Sequence, residues 1–158
     1  MEELANYYKE LYTILSGQAM RQVESMHIEN VNLSLDSVLP EAKTLDTDVQ
    51  LQGDRVLLKY LFDLLRKQAG GKAMTVSLEK QPKYAVISLL ATSLHFTDRE
   101  CLNLFQPAID HIPYLLCRQI ARDHGEASGH RGCGISAIPS PQGVVFVVTL
   151  PRGKEGNN

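Results

Sequence analysis

The chain has 158 residues, 44% hydrophobic and 22% charged, proportions that suit one soluble globular domain and exclude a disordered, collagenous or disulfide-stapled chain. Its formal net charge of -2 comes from mixed signs, so there is no basic footprint and nucleic acid is not an expected partner. Three cysteines, Cys101, Cys117 and Cys133, form no tight pattern and point to reduced thiols in a cytoplasmic setting. The acidic start Met1-Glu2-Glu3-Leu4 is no secretory leader, and no run reaches the length of a membrane span. A cytoplasmic piece of a longer membrane protein stays open.

From Glu2 to Met26 the apolar residues Leu4, Tyr8, Leu11, Leu15, Ala19, Val23 and Met26 recur at the spacing of one helix face. The spacing predicts a long amphipathic helix over residues 1–27. Its near-heptad seam suits pairing with a second copy, and packing on the same domain accounts for the stripe equally well. Val31 to Leu35 alternates as a strand, and Asp36 can cap a short helix containing Val38, Leu39 and Ala42. Val49 to Gln52 alternates again up to Gly53-Asp54. Val56, Leu57, Tyr60, Leu61, Leu64 and Leu65 then predict a core-facing helix that stops at Gly70-Gly71.

Met74 to Leu78 and Tyr84 to Leu90 predict a hairpin with a polar connection. Thr97 or Asp98 can cap a helix running through Leu102, Leu104 and Phe105, which Pro107 breaks. Another helix is expected over Ile112 to Asp123, with Leu115, Leu116 and Ile120 inward. Ile135 to Ile138 and Val144 to Leu150 predict a closing hairpin around Pro139 to Gly143, before a polar tail, 152–158, expected to fray. The expected fold class is therefore α/β (α+β): a two-layer sandwich with a mixed, largely antiparallel sheet and helices on one face.

Two words near the C-terminus carry a family resemblance. Leu116 to Gly125 is similar to the helix that ends in His-Gly, and Gly143 to Pro151 to the closing strand that ends in Leu-Pro, in the ATP-binding domain of the histidine kinase, gyrase and Hsp90 superfamily. Gly53-Asp54 with Leu57, Leu58, Leu61 and Phe62, and Leu104-Phe105-Gln106-Pro107, resemble further segments of its sensor histidine kinase branch. The resemblance spans residues 28–151. It implies a histidine kinase-like domain, with the first helix at the place of a dimerisation element.

The resemblance also implies where ATP and magnesium would sit, and each of those positions departs from the pattern. The magnesium-holding Asn falls on Lys67 or Gln68: a protonated amine cannot coordinate a metal, and glutamine is longer by a methylene. The adenine motif Asp-x-Gly-x-Gly falls on Ala91, Ser93 and His95, which removes the carboxylate acceptor and both bare glycines. The phosphate glycines fall on His111 and Pro113, and proline has no N–H to offer a phosphate. Gln106 to Asp110 is all that remains of the family's lid, and Asp110 is negatively charged.

Other chemistry finds little support. His95, His111, His124, His130 and Cys133 lack the pair spacings of a metal site, and His130 to Gly134 reads as an exposed lead-in to the last hairpin. His124 is expected to pack or cap where its helix ends. His27-Ile28-Glu29 only superficially resembles a phosphoacceptor, and a histidine at a helix C-terminus explains it better. The expected function is a non-catalytic signalling or interaction domain without cofactor, metal or catalytic residues, acting through a protein partner or self-association of the first helix. It would be cytoplasmic, alone or in a membrane-bound sensor. The alternatives are a sensor kinase domain that binds ATP in a non-standard way through Gln68, and a pocket reused for another small molecule.

Overall fold

Alternation and helix-face spacing are realised in a computed structural model that describes Tyr8 and residues 29–45 and 47–154. The first helix expected over 1–27, Tyr8 apart, lies outside the described residues, as do His27 and the tail after Lys154. The ordered elements are β1 (Val31–Ser34), β2 (Gln50–Gly53), α1 (Arg55–Gln68), β3 (Thr75–Lys80) and β4 (Tyr84–Ala91). They continue with α2 (Asp98–Asn103), α3 (Ile112–Ala127), β5 (Gly134–Ser140) and β6 (Gly143–Pro151).

The main sheet runs β3-β4-β6-β5, and β1 pairs with β2 in a separate small sheet. The sheet expected to be mixed and largely antiparallel is antiparallel in every strand pairing among the described residues. β4 alternates strictly, so Ala85, Ile87, Leu89 and Ala91 point inward opposite Leu150, Val148, Phe146 and Val144 of β6. Against that face pack Leu57, Leu58, Leu61, Phe62 and Leu65 of α1 and Leu116, Cys117, Ile120 and Ala121 of α3. Each large side chain so buried contributes about 1.5–3 kcal/mol, and this shared layer is the core.

Helix ends follow from capping chemistry. Asp54 accepts from the N–H groups of Val56 and Leu57 and starts α1. At its other end Gly70, with φ 80°, lets the N–H of Gly71 reach the carbonyl of Arg66 and its own N–H reach that of Lys67. Thr97 and Glu100 form a reciprocal capping box on α2.

Several expectations change. The short helix after β1 is instead two 3₁₀ turns, Leu35–Ser37 and Pro40–Thr44. α2 ends at Asn103, short of Pro107, and Leu102 is 78% exposed because α2 is a single turn and a half whose inward residue is Cys101. α3 runs past His124-Gly125 to Ala127, because Gly129 (φ 74°) provides the left-handed residue that closes it: the N–H of His130 donates to the carbonyl of Gly125 and that of Gly129 to Glu126. Leu115 is only half-buried, its inward place taken by Cys117. Pro139 lies inside β5, which tolerates it as an edge strand.

The tail does not fray at Arg152. The N–H of Gly153 donates to the carbonyl of Gln50 at 2.7 Å, and the Asn32 amide bonds both the N–H and the carbonyl of Lys154. These bonds tie the end of β6 to the small sheet.

Candidate functional site

Four segments surround a cleft of about 410 Å³ beside the main sheet. They are the C-terminal end of α1, the exit from β4 with α2, the connection Leu104 to His111, and the first turn of α3. Phe96, Leu104 and Tyr114 supply its apolar walls. Gln68 and Asn103 bring amides, Arg99 and His111 bring nitrogen donors, and Glu100 and Asp110 bring carboxylates.

The sequence-predicted positions divide. Gln68 and His111 line the cleft. Lys67 is exposed at the last turn of α1, and His95 is exposed beyond β4. Ala91 is buried at the end of β4. The Ser93 hydroxyl donates to the carbonyl of Ala69 at 2.6 Å, which fastens the exit from β4 to the end of α1. Pro113 is buried in the first turn of α3, where its fixed φ fits and its missing N–H leaves no intrahelical bond unmade.

The connection between α2 and α3 is pinned. A carbonyl can only accept, so the 3.0 Å contact between His111 Nδ1 and the carbonyl of Gln106 puts the proton on Nδ1. Behind it Tyr114 stacks on Phe146 at 5.8 Å and meets the edge of Phe105 at 6.4 Å, while the Arg118 guanidinium lies 5.8 Å over the Phe105 ring. Burial, then the neighbouring Cys117, pushes the Tyr114 phenol up to about 12, so it stays protonated.

Sequence reasoning missed Phe96, Arg99, Glu100, Asn103 and Tyr114. The 99, 100, 103 spacing, one helix face, was the available signal. Among the described residues no group of three His, Cys, Asp or Glu side chains is placed to hold a metal ion. No helix of the described residues is long and apolar enough to cross a membrane.

His124 has a structural place of its own. Buried at 1% exposure, its Nδ1–H donates to the carbonyl of Ile120 at 2.8 Å and its Nε2 accepts from the N–H of Asp54 at 3.0 Å. It joins α3 to the start of α1, well away from the cleft residues.

The architecture has counterparts among solved structures. The catalytic domain of the histidine kinase ThkA, in a nucleotide-free form, matches with a TM-score of 0.63 at 18% identity, over 82% of this chain and 100% of that one. The ATP binding domain of PrrB from Mycobacterium tuberculosis matches with 0.58 at 16%, over 80% and 99%. The chain has the fold of a histidine kinase catalytic domain. ThkA in complex with the response regulator protein TrrA matches with 0.64 at 18%, over 94% of this chain and 49% of that one. No family model and no curated protein matches the chain. Fold does not fix function, which rests on the residues of the cleft.

Proposed function

We propose that the chain is a non-catalytic signalling and interaction domain, derived from a sensor histidine kinase ATP-binding domain, in which ordinary ATP and magnesium binding has been lost. The observation that carries this reading is the start of α3. A helix start that holds phosphates needs free backbone N–H groups and no competing anion. Here Pro113 contributes no N–H, Asp110 sits just before it, and His111 bonds the shortened connection down through Gln106.

The other two parts of the site support the same reading. Ala91 offers a methyl where an acceptor for the adenine amino group is needed, and leaving that group unpaired costs about 1–3 kcal/mol when buried. Ser93 spends its hydroxyl proton on Ala69. For magnesium, Gln68 has one neutral oxygen and Lys67 an ammonium, whereas a hard cation favours several oxygen ligands. The residues present therefore do not fit ATP and magnesium.

A second reading has its own support. The cleft's apolar walls and two amides suit a small uncharged ligand, and its volume lies within the range of known ligand sites. In either case the domain would work by binding, in a cytoplasm, alone or within a membrane-bound sensor. The first helix, 1–27, is the proposed route to a partner or a second copy. Tyr8, 2% exposed and donating its hydroxyl to the Asp123 carboxylate, supports a connection between that segment and α3. A full chain that stays monomeric at high concentration contradicts the second copy.

Thermal unfolding with ATP and magnesium tests the main reading. A ligand present at about a hundred times its Kd adds about 2.7 kcal/mol of stability, a shift of several degrees for a domain of this size. No shift that depends on Gln68 is expected at millimolar ATP. A shift that grows with ATP and vanishes in Gln68→Ala overturns the proposal.

A further inference from the structure

A second cleft, of about 620 Å³, lies at the C-terminal end of α3, opposite the end that borders the first. Arg122 and Glu126 form one wall, on the last turns of the helix. His130, Arg131 and Cys133 form the other, on the connection to β5. Two guanidinium groups and an imidazole thus share the cleft with a single carboxylate. Among the described residues no ion pair engages Arg122 or Arg131, since those that form use Lys59 and Arg66. The charge of Arg122 is felt one turn away: Arg118 is held below the usual guanidinium range, first by burial and then by Arg122.

The connection is fixed in place. The His130 N–H is held by the carbonyl of Gly125 at 2.8 Å, and its ring meets Tyr84 edge-on at 5.6 Å. The Gly132 N–H donates to the Tyr84 hydroxyl at 3.2 Å. Any side chain at Gly125 would strike the His130 carbonyl at 2.6 Å and Cys133 Cβ at 2.7 Å, so helix and connection are pressed together by design of the sequence. A wall held this way loses little freedom on binding.

We propose that this cleft binds a phosphate-bearing small molecule, its phosphate held between Arg122 and Arg131 with His130 alongside. Guanidinium forks match phosphate oxygens in pairs. A phosphate carries about -1.5 to -2 charge at neutral pH, enough to be attracted here despite Glu126, where a single carboxylate gains less. The cleft is also much larger than a bare anion requires and falls in the range of small-molecule sites. This site shares no residue with the cleft of the proposed function and stands or falls without it.

The test is calorimetric titration of the full chain, at constant ionic strength, with inorganic phosphate, glycerol phosphate and acetate. Saturable binding of a phosphate at millimolar concentration is expected, weakened about tenfold or more in Arg122→Gln and in Arg131→Gln and tightened in Glu126→Gln. Tighter binding of glycerol phosphate identifies an ester as the ligand, and equal binding identifies phosphate itself. Both arginines are exposed, so the variants should keep the parent's circular dichroism and unfolding midpoint. No saturation by either phosphate, binding unchanged in both arginine variants, or acetate bound as tightly, would overturn the proposal. An ATP signal lost in Arg122→Gln reports this cleft, and one lost in Gln68→Ala reports the other.

Discussion

The Nε2 of His124 accepts a hydrogen bond from the backbone N–H of Asp54 at 3.0 Å, across seventy positions of sequence. The other ring nitrogen donates to Ile120, so the bonds require the neutral Nδ1–H tautomer. Protonating Nε2 would set a proton against the Asp54 N–H. Burial, outweighing the carbonyl of Ile120 and the nearby Asp54 and Asp123 carboxylates, holds the His124 pKa below its usual value.

A depressed folded-state pKa means that the unfolded chain takes up the proton first. Stability is therefore complete above the ordinary histidine pKa of about 6.5 and declines as pH falls from there toward the folded value. Urea midpoints measured from pH 7.5 to 5 should fall in the parent chain. In His124→Gln, which cannot titrate, that part of the slope should disappear.

Gly53 gives a steric test of the same joint. A Cβ there would lie 2.4 Å from His124 Cδ2, and the ring is locked by two hydrogen bonds. Gly53→Ala should destabilise by about 1–3 kcal/mol, the cost of overpacking. Pairing it with His124→Ala should recover part of the loss, read as non-additive unfolding free energies.

Glu41 anchors the other side of α1. Its carboxylate takes Arg66 Nη2 at 2.6 Å and Nε at 2.9 Å, and also the N–H of Met74 at 3.0 Å. Burial raises its pKa, but the Arg66 and Met74 bonds together outweigh burial and leave it below the ordinary value of 4.5. Its contribution is present above about 4.5 and is lost as pH falls further, so Glu41→Gln should flatten the acid limb below that of His124. Glu41→Ala, which leaves the Met74 N–H and the Nε and Nη2 of Arg66 without their acceptor while Asp63 still holds Nη1 at 2.7 Å, should cost roughly 1–3 kcal/mol in denaturant unfolding.

The layered core was legible because its periodicity is local: β4 and β6 alternate and α1 and α3 carry apolar stripes, whatever they pack against. That Lys67, Gln68, Ala91, Ser93, His95, His111 and Pro113 stand at nucleotide-site positions is implied by the resemblance alone. What escaped depends on contacts distant in sequence. Nothing near His124 announces Gly53 and Asp54, and nothing near Glu41 announces Arg66. Lys154 looks like polar tail until Asn32 is placed beside it. The charged cleft was hidden too, since Arg122 and Arg131 line one cleft only because α3 ends at Ala127 and the chain turns back through Gly129. Leu102 shows the converse, an apolar residue of an expected helix that the short helix leaves in water.

The proposed loss of ATP and magnesium binding concerns the first cleft. The measurement that tests it most directly is calorimetric titration of the full chain with ATP and magnesium to millimolar concentration, repeated for Gln68→Ala. No saturable heat that depends on Gln68 is predicted. Saturable binding that weakens in Gln68→Ala and persists in Arg122→Gln would contradict the account.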